Sequence, residues 1–152
     1  MFKSKVVKLK VAWIGKTKEP AIQKLTVEYL ERISRYAEAE GVALKDEGAI
    51  LKLCERDARP RHTLVLLDSR GKQLSSEELA QFINDYQDRN PQPLLFAIGP
   101  ADGFSDDARR AASQLLSLSK MTLAHELARV VLLEQLYRAF TILKRHPYHL
   151  GH

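Results

Sequence analysis

LLSLSKMTLAHELARVVLLEQLYRAFTILKRHPYHLGH closes the chain, residues 115–152. Its first residues, Leu115, Leu116 and Leu118, form a short strand-like run, and Ser119-Lys120-Met121-Thr122 makes a polar turn. The stretch 126–144 contains neither Gly nor Pro and sets Leu133, Leu136, Tyr137, Phe140 and Leu143 on one helical stripe. Val130, Val131, Leu132 and Leu133 are consecutive, so apolar residues reach beyond that stripe. A helix that is apolar on more than one face must pack on more than one neighbour. The pattern asks for the protein's own sheet on one side and a second copy of the chain on another.

Upstream, strand-like and helical stretches alternate. Residues 8–14 (KLKVAWI) read as a first strand, broken by Gly15-Lys16-Thr17. Pro20 suits the first turn of a helix. Ile22, Leu25, Tyr29, Ile33 and Tyr36 mark its face, Gly41 stops it, and residues 42–44 form a second strand. Residues 47–56 make a short helix and 59–61 a turn. TLVLL (63–67) is a compact strand bounded by Asp68-Ser69-Arg70-Gly71. Ser75 with Glu78 has capping-box spacing ahead of the helix face Leu79, Phe82, Ile83 and Tyr86. LLFAI (94–98) is a buried strand ended by Gly99-Pro100-Ala101-Asp102-Gly103. Ser105 then caps a helix with first-turn acids Asp106 and Asp107. This order predicts one α/β domain over residues 1–152, a mostly parallel sheet with helices on both faces.

Composition narrows the function classes. An apolar content of 45% with 28% charged residues is that of a soluble globular domain. No apolar run is long enough to span a bilayer, and the start, MFKSKVVKLK, lacks the apolar segment of an export signal. The single cysteine, Cys54, excludes an intrachain disulfide and reads as a structural thiol. The expectation is a cytoplasmic protein. A net charge of +5 permits a nucleic-acid partner without requiring one.

Ligands of open α/β sheets bind beyond the carboxyl ends of the strands. Three such loops follow the clearest strands: 68–71, 99–103 and 119–122. No G-x-G-x-x-G or G-x-x-x-x-G-K-[ST] is present, which disfavours dinucleotides and P-loop chemistry. His125 precedes the long helix, where a capping or core role competes with catalysis. Arg129 and Arg138 either snorkel at a subunit edge or anchor RNA phosphates. The tail carries three of the five histidines, but no carboxylate or cysteine nearby in sequence completes a metal site. Its His146, Tyr148 and His149 could stack on unpaired bases, with Lys144 and Arg145 on phosphates.

Taken together, Ile98 to Ser105 (IGPADGFS), Leu116 to Leu123 (LSLSKMTL) and Arg138 through the HPYH ending resemble the RlmH-type SPOUT methyltransferases. These are the large-subunit ribosomal RNA pseudouridine N3-methyltransferases, and the resemblance covers nearly the whole chain, including Leu67-Asp68 and Gly71-Lys72. It implies a C-terminal trefoil knot, an S-adenosylmethionine cofactor, a homodimer, and a target in the helix 69 loop of 23S rRNA on the ribosome. It places cofactor contacts on Leu67, Gly99, Leu118, Ser119, Lys120, Met121, Thr122 and Leu123. RNA contacts would fall on Arg129, Lys144, Arg145, His146 and Tyr148, and the chemistry on His149, Arg138 and His125, in that order. No metal is implied, because a sulfonium methyl is already electrophilic. Two departures stand out. Many members read Gly-Gly-Pro-Glu-Gly where this chain has Gly99-Pro100-Ala101-Asp102-Gly103, and Pro100 has no N–H to offer. Many also carry a basic residue after HPYH, where this chain ends Leu150-Gly151-His152. The competing reading is a non-catalytic, dimeric RNA-binding assembly factor.

Overall fold

The computed structural model describes residues 6–100 and 102–150, with the side chains of His149 and Leu150 outside that description. Among these residues strands and helices alternate as β1 (Lys8–Ile14), α1 (Pro20–Ile33), β2 (Glu38–Leu44), α2 (Glu47–Leu53) and β3 (Thr63–Gln73). They continue as α3 (Ser76–Arg89), β4 (Leu94–Ile98), α4 (Asp106–Ala111), β5 (Gln114–Ser117) and α5 (His125–Leu143). A 3-10 turn, Pro147–Leu150, follows. The strands form one parallel sheet in the order β2-β1-β4-β3-β5.

The buried strand pattern fixes the layers. All five residues of β4 are buried, as its central position demands. Leu94, Phe96 and Ile98 face a core shared with α1, α3 and α5, while Leu95 and Ala97 face one shared with α2 and α4. Helix ends follow their local signals. Ser75 and Glu78 form both hydrogen bonds of the capping box, and Ser105 accepts from the Ala108 amide. Cys54 is half-buried, and burial pushes its thiol up to about 11 against the pull of Arg61, so it stays protonated at neutral pH.

Several expectations from the sequence change: β2 starts at Glu38 rather than at 42, and α2 ends at Leu53 rather than at 56. Helix α1 ends at Ile33, and Gly41 lies inside β2 rather than stopping the helix. A Cβ at Gly41 would stand 2.8 Å from both Leu30 and Trp13, so the glycine serves packing. Residues 68–71 are not a loop after β3, because the strand runs on to Gln73. Finally, the several apolar faces of α5 are largely covered within one chain. Leu132, Leu133, Leu136, Ala139 and Phe140 are buried, against α1 and α3 as well as the sheet. The consecutive apolar run therefore does not by itself require a second copy.

The extension of β3 creates the tightest backbone contact around β5. Leu116 pairs with Leu67 and again with Lys72, so the intervening residues arch past it. Gly71 sits at that crossing. A Cβ there would lie 2.6 Å from the Leu116 amide nitrogen and 2.7 Å from the Leu115 carbonyl carbon. These are backbone atoms that cannot rotate away. Gly71→Ala is thus expected to destabilise the fold by about 3 kcal/mol or more, the upper range for overpacking. Chemical denaturation measures it, and an unchanged midpoint would show that β5 does not press on the Gly71 backbone.

Candidate active site

The carboxyl ends of β3, β4 and β5 bring together the segments that hold Leu67, Gly99 and residues 118–123. The last segment is the most distinctive. Among the described residues, no backbone–backbone hydrogen bond of a turn, loop or cap involves residues 118–123. Its internal ties come from serines: Ser117 Oγ donates to the Ser119 carbonyl at 3.0 Å, and Ser119 Oγ accepts from the Met121 amide at 2.9 Å. The amides of Lys120, Thr122 and Leu123 are left to bind something else. A shaped run of unspent donors and acceptors is what recognition of an adenine edge needs. Leu118 packs on the core and gives the run an apolar floor, while Met121 stands 79% exposed. A cavity of about 280 Å³ opens beside it, between Leu116, Ser117 and Leu118, the start of α3 at Ser75, and Val131 and Gln135 of α5. These donors and apolar surfaces fit an adenosine-bearing cofactor.

Gly99 has a different environment from the one its sequence context suggests. The space a Cβ would fill is taken by the Phe104 ring, 2.9 Å away, so Gly99 offers a ligand only its backbone. A side chain there would first displace buried Phe104. Beneath the site, Asp68 binds Arg109 Nε at 2.7 Å and accepts from the Arg70 amide at 2.8 Å. Burial alone would raise its pKa, but Arg109 and the Arg70 amide outweigh it and hold the carboxyl below the usual range. This ion pair ties α4 to the extended part of β3.

Helix α5 begins immediately beyond the 118–123 segment, with His125 half-buried as its first residue. Glu126 accepts the Lys18 and Glu19 amides at 3.2 Å each, which pins the helix start to the segment after β1. Arg129 does not face RNA. It is 1% exposed, donates to Thr17 Oγ1 at 2.8 Å and Thr26 Oγ1 at 3.2 Å, and lies 3.9 Å over the Trp13 ring. The RNA role is therefore corrected to a core one, in which a cation–π contact and two hydroxyls replace water. Burial lowers its pKa, with Glu126 opposing.

Arg138 lies farther along α5. Its Nε donates to Glu134 at 3.1 Å, and its guanidinium sits 5.0 Å from the centre of the Tyr148 ring. Tyr148 is not splayed out for a base in this chain. Its ring packs edge-on against Tyr137 at 4.7 Å and its hydroxyl donates to Glu134 at 2.9 Å. Glu134, unmarked in the sequence reading, is the hub. Its spacing from Arg138 was legible as an i,i+4 pair; its tie to Tyr148 was not. Lys144, Arg145 and His146 are exposed, and the chain reverses at Arg145, with φ 56°. The His146 amide donates to the Thr141 carbonyl at 2.7 Å, which keeps the start of the tail against the end of α5. The catalytic assignment of His149 rests on a side chain outside the described residues. Helix α5 spans 19 residues, about 28 Å, so Lys144, Arg145 and His146 lie at the far end from residues 118–123.

Comparison with known proteins agrees with this geometry. A family model described as "Predicted SPOUT methyltransferase" matches residues 7–149. The ribosomal RNA large subunit methyltransferase H of Koribacter versatilis is 59% identical over 146 residues, covering 96% of this chain and 100% of that protein. Its namesake in Geobacter sulfurreducens is 46% identical over 152 residues, covering 94% and 99%. Among solved structures, the SpoU methyltransferase AviRb of Streptomyces viridochromogenes aligns with a TM-score of 0.55 at 17% identity. That alignment covers 91% of this chain and 61% of AviRb. A probable methyltransferase from Bordetella pertussis gives 0.55 at 10% identity, covering 88% and 95%. At these identities the structures show the shared fold alone.

The Tyr148 contact makes a pH-dependent prediction. Burial, and then Tyr29 and Glu134, push the phenol above the ordinary tyrosine range. A raised folded-state pKa means that its stabilising effect is complete below the unfolded value near 10.0 and is lost as pH rises through the folded value. Burial raises the Tyr86 phenol as well, so ultraviolet titration should show late-ionising tyrosines, and Tyr148→Phe should remove one of them. If the two titrations differ by a tyrosine of ordinary pKa, Tyr148 is not docked on Glu134.

Proposed function

Since the chain belongs to the SPOUT methyltransferase family, and within it groups with ribosomal RNA large subunit methyltransferase H, we propose that it methylates N3 of a pseudouridine in the helix 69 loop of 23S rRNA, on the ribosome, with S-adenosylmethionine as donor. Full-length similarity to enzymes of that name carries the reaction class. The fold is the SPOUT α/β fold with its C-terminal trefoil knot, one of the few exceptions to unknotted topology. Among the described residues no helix is long and apolar enough to cross a membrane, and no group of three or more His, Cys, Asp and Glu could hold a metal ion.

S-adenosylmethionine, when bound, supplies a methyl group that is already electrophilic. The chain's own residues must hold the cofactor, position N3 and ease the loss of its imide proton. Cofactor binding falls to Leu67, Gly99, Leu118, Ser119, Lys120, Met121, Thr122 and Leu123, chiefly through the unspent main-chain groups of residues 118–123. Proximity then supplies much of the acceleration. His149 is the proposed acceptor of the N3 proton. Arg138 is the cation that favours the imide anion and, with Glu134, sets the tail's path. His125, at the start of α5, is the third candidate. Lys144, Arg145 and His146 form the RNA-facing part of the tail, which Tyr148 docks against α5, since Arg129 is occupied in the core.

Lys144, Arg145 and His146 lie at the far end of α5 from residues 118–123, while Tyr148 docks at Glu134 near the middle of the helix, and we assign the tail to the cofactor site of a second copy. Leu127 is 53% exposed on α5 and Val27 46% exposed on α1, with Val130 and Val131 half-buried. These residues supply an apolar surface for a homodimer.

Deleting residues 146–152 should leave folding and cofactor affinity nearly intact and abolish methyl transfer. His149→Ala should lose on the order of a hundredfold or more in rate. Thr122→Pro removes an amide that is free in the unliganded chain and should weaken cofactor binding about tenfold, as loss of one hydrogen bond does. Mixed dimers of the tail-less and Thr122→Pro chains contain one intact site and should recover part of the activity. Single-turnover methylation of ribosomes measures each case. Full activity in the tail-less chain would overturn the tail's role. A wild-type chain that binds ribosomes but transfers no methyl would return the assembly-factor reading.

A further inference from the structure

A second cleft, of about 540 Å³, opens at the other end of the sheet, where β1, β2, β3 and β4 begin. It is separate from the 118–123 segment, and methyl transfer makes no use of it. Leu9, Leu53, Pro60 and Pro93 give it apolar walls. His62 lines it too, at 6% exposure, its ring within hydrogen-bonding reach of the Leu53 and Pro60 carbonyls. Burial, and then Lys10, lower the His62 pKa, so at neutral pH the ring is uncharged and holds one donor and one acceptor nitrogen.

The cleft's charge is not balanced internally. Lys10 is paired with Glu40 at 2.9 Å. Lys8 and Lys52 line the cleft, are exposed, and form no ion pair among the described residues. Arg59 adds a third cation, its Nη1 held by the Ala58 carbonyl at 2.8 Å and the Arg56 carbonyl at 3.1 Å. Against these three, Glu38 is the one lining carboxylate outside an ion pair. Apolar walls, a neutral imidazole and surplus cations suit a ligand with a flat heteroaromatic part and an anionic part. The volume lies within the range of roughly 300–1,000 Å³ typical of small-molecule sites.

We propose that this cleft is a second nucleotide site, which takes one base and ribose against the leucine and proline walls and the His62 ring, and holds the phosphate with Lys8, Lys52 and Arg59. A free mononucleotide and a nucleotide within single-stranded RNA share this chemistry. The site does not depend on the methyl-transfer assignment, and its test requires no catalysis.

Calorimetry on the full chain, with saturating S-adenosylhomocysteine present to fill the cofactor site, would compare uridine and adenosine monophosphates, a short single-stranded RNA and inorganic phosphate. At least one nucleotide ligand should bind about tenfold or more tighter than phosphate, and Lys8→Glu with Lys52→Glu should cut that affinity by a similar factor. Both lysines are exposed, and a matching thermal melt would verify the fold of the double variant. RNA binding more tightly than mononucleotides identifies RNA as the source, and the reverse order identifies a free nucleotide. Nucleotides no tighter than phosphate, or undiminished binding in the double variant, would overturn the site.

Discussion

The backbone of β5 lies so close to Gly71 that no side chain fits between them. The rest of the C-terminal half depends on that contact. Because Leu116 is held against both Leu67 and Lys72, the chain leaves the sheet at a defined point and direction. Residues 118–123 therefore emerge beside the ends of β3 and β4 without spending their own main-chain groups on secondary structure. An ordinary loop would satisfy those groups with turns of its own. Here two serines shape the segment and the remaining donors stay open, which supports the proposed recognition of the cofactor by main-chain groups.

A second constraint aligns α5. Glu126 grips the segment after β1, and Arg129 fills the space over Trp13 with a buried cation. A buried charge of this kind is tolerated when its surroundings stand in for water, and Thr17 and Thr26 at Nη1 and the indole face do so in part, Nε having no hydrogen-bond partner among the described residues. The helix start is thereby fixed relative to both β1 and the 118–123 segment. At the other end, Glu134, Arg138 and Tyr148 hold the tail against the same helix. The helix thus separates residues 118–123 from Lys144, Arg145 and His146, and the proposed pairing of two chains would bring the tail of one to the candidate site of the other.

Much of the fold was legible in the sequence because the signals were local. The capping box at Ser75 and Glu78, the N-cap at Ser105 and the continuous apolar run of β4 each act within a few residues, and each appears in the structure. The readings that changed depended on contacts distant in sequence. Gly41 resembles a helix stop, yet it makes room for Leu30 and Trp13. Arg129 looks like a surface cation until Trp13, Thr17 and Thr26 are brought around it. The apolar run from Val130 to Leu133 suggests a dimer, but α1, α3 and the sheet bury much of it first. In the candidate site, the family resemblance pointed to residues 118–123, and only the hydrogen-bond pattern shows why that segment suits an adenosine. Glu134 carried no motif, and its role rests on a tail that folds back across about two and a half turns of helix.

Mass mapping of 23S rRNA from cells lacking the gene tests whether this chain places one methyl group on one pseudouridine of the large ribosomal subunit. A single helix 69 fragment should become lighter by one methyl group, and restoring the gene should return the lost mass. A helix 69 fragment of unchanged mass in the deletion strain would contradict that assignment.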